Sequence, residues 1–416
     1  METLRVGFIG AGFIAGFLGK ALKSVRGVQI SAVTAPEGAE ALANWATKEG
    51  LGPCKVCSTV KELCDSCDAV AILAPNFARV ERVGEVAEAV KAGAQLKGLI
   101  CEKPLGRTVA EAEQLVKLAK EMKLPTAYFE NQIHMKSIQM QKAQLAPQEA
   151  AMGPIALARS AEEHAGPHSP WFWDPTRQGG GVLSDMGCHS IAVSWYVLTP
   201  HGKPATFLKP TAVSAETALL KWGLPRWRKK LLDAQGVDYA KTPAEDFATG
   251  MVTFENPDTG QLVKAQFTNS WMYDKQGLRL MMDGLGPGYA FEVNTLLSPM
   301  TLFVGDEAAE AVADAETALE KSTASRGLLT VHPNEPDLYG YNDEFADARA
   351  AFLEGRDALL NWEYGLEVTK LVQAAYMAAE EEKTLDLTDP SVQNSLKTYT
   401  SAIAQGKGHD VLKVKK

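Results

Sequence analysis

Gly10-Ala11-Gly12-Phe13-Ile14-Ala15 joins two segments of different periodicity. Leu4 to Ile9 is a short apolar run of the kind that forms a buried strand, and the residues from about Ile14 to Val25 repeat as a helix. Few folds turn so tightly from one to the other. Gly10 allows the turn, Gly12 lets backbone come close to a ligand, and the small Ala15 lets helix lie against strand. Amides at the start of such a helix, with the positive end of its dipole, hold phosphate groups. Standing after a first strand and before a first helix, the pattern predicts a dinucleotide site in a parallel α/β sheet.

The alternation continues, as a doubly wound sheet requires. Val28 to Val33 reads as the second strand and Glu37 to Glu49 as helical; Lys55 to Cys57 reads as a short strand and Thr59 to Asp65 as a helix. Ala69 to Leu73 is a buried strand stopped by Pro75 and Asn76, and Leu99 to Cys101 is another, ended by Glu102-Lys103-Pro104. Thr108 with Glu111 three residues later has the form of a capping box opening a helix to about Lys123, and Pro125 to Phe129 completes the sheet. Beyond Asn131 a helix follows the triplet Gly179-Gly180-Gly181. Strands without intervening helices come next: Phe247 to Phe254, Leu262 to Asn269, Leu278 to Met282, Tyr289 to Val293 and Met300 to Val304. The turn residues Asn256 to Gly260 make the first two a hairpin. An acidic, alanine-rich segment from Asp306 to Glu320 and helices over Asn342 to Leu353 and Trp362 to Glu382 close the chain. The expected fold is α/β: a Rossmann domain over residues 1–131, then an α+β domain over 132–416 with a large, mostly antiparallel open sheet for substrate and oligomer contacts.

A formal charge of −9 argues against general affinity for nucleic acid or anionic lipid. The one basic cluster, Arg226, Arg228, Lys229 and Lys230 interleaved with Trp222 and Trp227, reads as a solvated insert, with a lid over an anionic substrate as the alternative. No apolar run is long enough to span a membrane and no signal peptide opens the chain, so a cytoplasmic protein is expected. Cys54-x-x-Cys57 and Cys64-x-x-Cys67 have the spacing of a zinc site, but the first two flank a short strand and point to opposite sides of it. No metal is expected.

Where the second strand ends, Thr34, Ala35 and Pro36 replace the usual ribose-binding acid, and Glu37 is the nearest carboxylate. NAD and NADP both remain open; an acid there repels a 2′-phosphate and favours NAD. Glu102 and Lys103 follow the fifth strand at its carboxyl end, where such sheets place ligands. Asp185 and His189 stand four apart on one face of the helix after the triplet, which would bring backbone close to a ligand.

Together these segments resemble the Gfo/Idh/MocA oxidoreductases. The resemblance rests on Gly10 to Ala15, Ala74-Pro75-Asn76, Glu102-Lys103-Pro104 and the run Gly180 to His189. Arg79 departs from it, standing where many members carry histidine, and Ala205 to Lys241 looks like an insertion. The resemblance implies that Gly10, Gly12, Phe13, Ile14, Glu37, Pro75, Asn76, Glu102 and Lys103 hold the cofactor, and that Lys103, Asp185 and His189 are catalytic. His189, with an unperturbed pKa near neutrality, would take the hydroxyl proton; Lys103 would stabilise the alkoxide, and Asp185 would orient the hydroxyl or the imidazole. Glu130, His164, His168, Trp171, Trp173, Arg177 and Tyr341 complete the expected substrate site, with Trp271 and Asn342 as weaker candidates. The expected reaction is hydride transfer to or from a secondary hydroxyl of a sugar, glycoside or cyclitol. Two alternatives are a glycoside hydrolase working through transient oxidation at C3 and a sensor that binds dinucleotide without turnover. Apolar residues at successive positions in Met251 to Phe254 and Leu278 to Met282 imply that both sheet faces are covered, hence a homodimer or homotetramer.

Overall fold

The computed structural model describes residues 2–274, 277–296, 301–304, 327–330 and 334–412. The chain forms two compact units, one of Met1–Lys136 with Pro336–Lys370 and one of Ser137–Glu335 with Leu371–Lys416.

Six strands make the sheet of the first unit: β1 (Leu4–Ile9), β2 (Val28–Thr34), β3 (Lys55–Val56), β4 (Ala69–Ile72), β5 (Gly98–Glu102) and β6 (Thr126–Phe129). Their order is β3-β2-β1-β4-β5-β6, and all pairs are parallel. Every residue of β4 and β5 is buried, as expected where helices cover both faces. The chain winds outward from β1 to β3 and then restarts at β4 on the other side. Ligands bind outside the carboxyl ends of the strands at such a reversal. The capping signals hold locally: the Thr108 hydroxyl accepts from the Glu111 N–H at 3.2 Å, and the Thr59 hydroxyl from that of Glu62 at 3.1 Å.

Residues 336–370, which sequence order places in the second domain, belong to the first. Aromatic packing accounts for this. The Phe345 ring meets Phe129 edge-on with centroids 4.8 Å apart and lies 6.5 Å from that of Phe8, and Tyr341 meets Phe17 at 5.0 Å. Trp362 donates its indole N–H to the Ala127 carbonyl at 3.1 Å.

The second unit is built on a seven-stranded sheet of β7 (Leu157–Glu163), β8 (Lys209–Ala218), β9 (Phe247–Glu255), β10 (Leu262–Ser270), β11 (Arg279–Gly286), β12 (Tyr289–Asn294) and β15 (Leu385–Asp386), while β13 (Thr301–Val304) and β14 (Gly327–Thr330) form a separate antiparallel pair. The order is β12-β11-β7-β10-β9-β8-β15, antiparallel except between β7 and β10. The expected segment Asp306 to Glu320 lies outside the described residues. Helix Cys188–Leu198 covers one sheet face and is joined to it by hydrogen bonds from Ser194 to Ser160 at 2.9 Å and from Asn269 to Ser190 at 2.8 Å.

The supposed insertion Ala205 to Lys241 contains a strand of the sheet. Its first part is β8, which pairs along β9, so the extra material narrows to the loop around helix Pro225–Gln235. That loop has an aromatic root and a solvated face: Trp222 is buried, whereas Arg226, Lys229 and Lys230 are exposed.

Phe345 is 1% exposed, so Phe345→Ala leaves a cavity beside Phe8 and Phe129 and costs about 3–5 kcal/mol. Denaturant unfolding should show a lower midpoint for the dinucleotide-binding unit. An unchanged midpoint would contradict the placement of 336–370.

Candidate active site

In the first unit the expected cofactor residues all stand at or just after carboxyl ends of parallel strands. Gly10, after β1, has φ of +119°, and a Cβ there would lie 2.8 Å from the Leu73 carbonyl group. Only glycine fits. Gly12 is extended, and a Cβ on it would meet nothing within 4 Å. Helix Phe13–Leu22 therefore begins behind an open approach, with no side-chain cap and no acidic residue in its first turn. Ala15 is fully buried against the sheet. Gly38, after β2, packs so close to the glycine turn that a Cβ would stand 3.1 Å from the Ala11 oxygen, and Glu37 beside it is exposed. Pro75 and the buried Asn76 follow β4. An open helix start with a neighbouring exposed acid suits a diphosphate and a ribose hydroxyl.

Lys103 follows β5 in a turn with a cis Lys103–Pro104 peptide. Arg79 explains how that turn is held. Buried at the start of helix Arg79–Lys91, it donates to the carbonyl of Glu102 at 2.7 Å, to that of Lys103 at 3.0 Å, to that of Pro104 and to that of Ala74 at 3.2 Å. A planar guanidinium with five donors reaches several carbonyls at once, which a lysine ammonium does not do in one plane. Behind the turn, Glu344 is held well above the usual carboxylate range, first by burial and then by the carboxylates of Glu102 and Glu130.

In the second unit Asp185 lies on a π-helical turn, Leu183–Gly187, that runs into helix Cys188–Leu198, with His189 near its start. Such turns widen a helix locally and are frequent at functional sites. Asp185 and His189 are both buried. The Trp271 indole N–H donates to Asp185 Oδ2 at 3.3 Å, and His164 Nε2 stands 3.9 Å from the same oxygen. Because the Gly166 N–H donates to His164 Nδ1 at 2.9 Å, a neutral His164 carries its proton on Nε2, facing the carboxylate. The far end of the helix is fixed by Lys142, whose ammonium donates to the Val197 carbonyl at 3.1 Å and to that of Thr199. Burial lowers the Lys142 pKa to about 8.

The other expected substrate residues separate into groups. Trp173 is a core residue: its ring meets Trp222 at 4.7 Å, Trp271 at 5.0 Å and Tyr239 at 5.8 Å, leaving no face for a sugar. Trp171 is half-buried and stacked on Phe172, while His168 and Arg177 are exposed. Glu130 and Tyr341 are buried in the first unit. Sequence reasoning missed the work of Arg79, and also that of Asp246, which accepts from the N–H groups of Leu220, Lys221 and Trp222 at 2.7–2.8 Å and roots the aromatic loop. An acidic pair directly before the apolar run of β9 was the available signal.

Arg79→Leu takes this donor from four carbonyls, and each buried group left unmet costs on the order of 1–3 kcal/mol. Urea unfolding should show a clear loss of stability, and calorimetric titration a weaker dinucleotide affinity. Wild-type values in both would remove Arg79 from the support of the Lys103 turn.

Residues 4–128 match the family model described as an oxidoreductase family with an NAD-binding Rossmann fold, and residues 140–285 match the GFO/IDH/MocA C-terminal domain. A 1,5-anhydro-D-fructose reductase of Ensifer adhaerens is 29% identical over 214 residues, 50% of this chain and 60% of that protein. An uncharacterised oxidoreductase of Streptococcus pneumoniae is 30% identical over 120 residues, 28% of this chain and 29% of that one. The chain thus spans less than two thirds of the length of these curated relatives. Among solved structures, GenD2 from gentamicin A biosynthesis, in complex with NAD, superposes with a TM-score of 0.71 at 22% identity, covering 93% of this chain and 97% of that one. The scyllo-inositol dehydrogenase of Lactobacillus casei with NAD(H) and scyllo-inositol gives 0.64 at 19% identity, covering 93% and 100%. At these identities the structures show a shared fold. With both of its domain models matched in order, the chain belongs to the Gfo/Idh/MocA family of oxidoreductases with an NAD-binding Rossmann fold.

Proposed function

We propose that this chain is an NAD-dependent dehydrogenase that moves a hydride between the nicotinamide and a secondary hydroxyl of a sugar, glycoside or cyclitol. The observation that carries the reading is the buried Asp185, oriented by Trp271 and flanked by His164, on the helix that presents His189 one turn later. Lys103, Asp185 and His189 form the catalytic group. NAD, when bound, supplies the hydride acceptor. Gly10, Gly12, Phe13, Ile14, Glu37, Pro75, Asn76, Glu102 and Lys103 hold it, and Glu37 favours it over NADP by repelling a 2′-phosphate. His189 takes the hydroxyl proton, Asp185 orients the hydroxyl or the imidazole, and Lys103 stabilises negative charge on the substrate oxygen. The relatives' names point to polyols and anhydrosugars as the substrate class. Trp171, His168 and Arg177 offer it an accessible aromatic face and polar contacts. Six free thiols suit a reducing cytoplasm.

The test is a screen of inositols, hexoses and glycosides with NAD, following nicotinamide absorbance. Lys103→Ala and His189→Ala should each lower turnover by at least about a hundredfold while NAD still binds. Near-normal rates in a folded variant would take that residue out of the mechanism. Labelled sugar released in heavy water without accumulating NADH would instead identify the redox-assisted hydrolase.

We further propose a homodimer or homotetramer formed through the sheet of the second unit. One face is covered by helix Cys188–Leu198, and Met251 on β9 remains 37% exposed. Light scattering at micromolar concentration should give a multiple of the chain mass; a monomer would refute the assembly.

A further inference from the structure

The helix that presents Asp185 and His189 starts in the interior of its unit, and no neighbouring side chain caps it. The first N–H groups of a helix have no partners within it. Here two remote residues supply the acceptors. Glu245, just before β9, accepts at Oε1 from the N–H groups of Gly181 and Leu183, both at 3.0 Å, and its main-chain oxygen accepts from that of Val182 at 3.1 Å. Tyr376, on helix Trp362–Glu380, accepts at its hydroxyl oxygen from the N–H groups of Gly181 and Ser184, both at 3.1 Å, and donates its own proton to Glu245 Oε1 at 2.5 Å. Four successive amides are thereby met before the bond from the Asp185 N–H to the Gly181 oxygen, at 3.1 Å, begins the helical ladder.

This contact explains the glycines. A Cβ on Gly180 would lie 2.1 Å from the Tyr376 hydroxyl oxygen, and one on Gly181 would lie 2.2 Å from the Glu245 main-chain oxygen and 2.6 Å from Oε2. The triplet was expected to bring backbone close to a ligand. Gly180 and Gly181 instead bring it close to Glu245 and Tyr376, both fully buried. A carboxyl at this end also meets the positive pole of the helix dipole.

We infer that Glu245 and Tyr376 are positioning residues, which clamp the start of the helix over residues 181–184 and so set where Asp185 and His189 stand. The inference rests on the assignment of Asp185 and His189 to the reaction. Neither clamp residue touches substrate; both act through the helix. A clamp of this kind affects the step that depends on geometry, since small displacements of a catalytic group slow chemistry far more than binding.

The test uses the full chain with saturating NAD and three variants: Tyr376→Phe, Glu245→Leu and Glu245→Gln. Hydrogen–deuterium exchange reads the clamp directly. In Tyr376→Phe and Glu245→Leu the amides of residues 181–184 should exchange at least about tenfold faster, with helix Val109–Met122 unchanged, because local opening is read separately from global unfolding. Glu245→Gln, which keeps an acceptor oxygen, should restore most of the protection. With scyllo-inositol as the probe substrate, kcat should fall by about tenfold or more while the KM for NAD stays within about twofold. The primary deuterium isotope effect on kcat should rise, since hydride transfer becomes slower. A smaller folded fraction would lower kcat without moving the isotope effect. Wild-type exchange in both Tyr376→Phe and Glu245→Leu would overturn the clamp, and faster exchange with an unchanged kcat and isotope effect would overturn its role in positioning. Should Glu245→Leu fail to fold, Tyr376→Phe, which removes a single hydroxyl, decides the same questions. If the wild-type chain oxidises none of the inositols, hexoses and glycosides screened, the dehydrogenase reading falls, and the exchange rates still decide the clamp.

Discussion

A buried helix start has to find acceptors for amides that its own turns cannot satisfy, and the second unit is arranged around one such start. Each unmet buried N–H costs on the order of 1–3 kcal/mol, against a net stability of about 5–15 kcal/mol for a whole domain. Leaving the four amides of residues 181–184 without partners would cancel much of that margin. Glu245 and Tyr376 meet this need from positions that only the tertiary fold brings near. Lys142 does the corresponding work at the other end, on the Val197 and Thr199 carbonyls. Between its two ends the helix is buried at nearly every residue and joined to β7 and β10 through Ser160 and Asn269. With both ends and one face fixed, Asp185 and His189 have little freedom to move.

The two glycine-rich turns of this chain look alike in sequence and differ in physical purpose. Each precedes a helix without a side-chain cap. After Gly12 nothing lies within 4 Å of where a Cβ would be, so that turn is open to a ligand. After Gly181 the same space holds protein atoms at 2.2–2.8 Å. One helix start is left open and the other is closed by a carboxyl and a phenol. No local pattern distinguishes them, because the deciding residues lie 62 to 195 positions away.

What was legible in the sequence was what depends on neighbours along the chain. The alternation of strand and helix, the glycine turn at Gly10 and the cap at Thr108 all have causes within about ten residues, and all six strands of the first sheet were readable. β7 was not. Its sequence, Leu157-Ala-Arg-Ser-Ala-Glu-Glu, has no β-branched residue, and it is a strand because β10 and β11 pair on either side of it. β8 was hidden in the same way inside a stretch that looked like an insertion. The return of residues 336–370 to the first unit depends on Phe345 and Tyr341 finding Phe8, Phe129 and Phe17, contacts that no sequence period announces. Asp185 and His189 were visible by their spacing; Trp271 as the partner of Asp185 was visible only as an aromatic residue at the end of a strand.

Arg79 shows why a departure from the family pattern need not weaken a site. Its side chain donates to four carbonyl oxygens, those of Ala74, Glu102, Lys103 and Pro104. A turn gripped by its backbone is fixed in place without drawing on the side chains it carries. The guanidinium presents its donors in one plane, so a single side chain spans all four carbonyls. Behind the turn, burial and the nearby carboxylates of Glu102 and Glu130 raise the Glu344 carboxyl well above the usual range. The guanidinium on the backbone and the raised carboxyl behind it thus act on one turn, which carries Lys103 at the carboxyl end of β5, where open α/β sheets place their ligands.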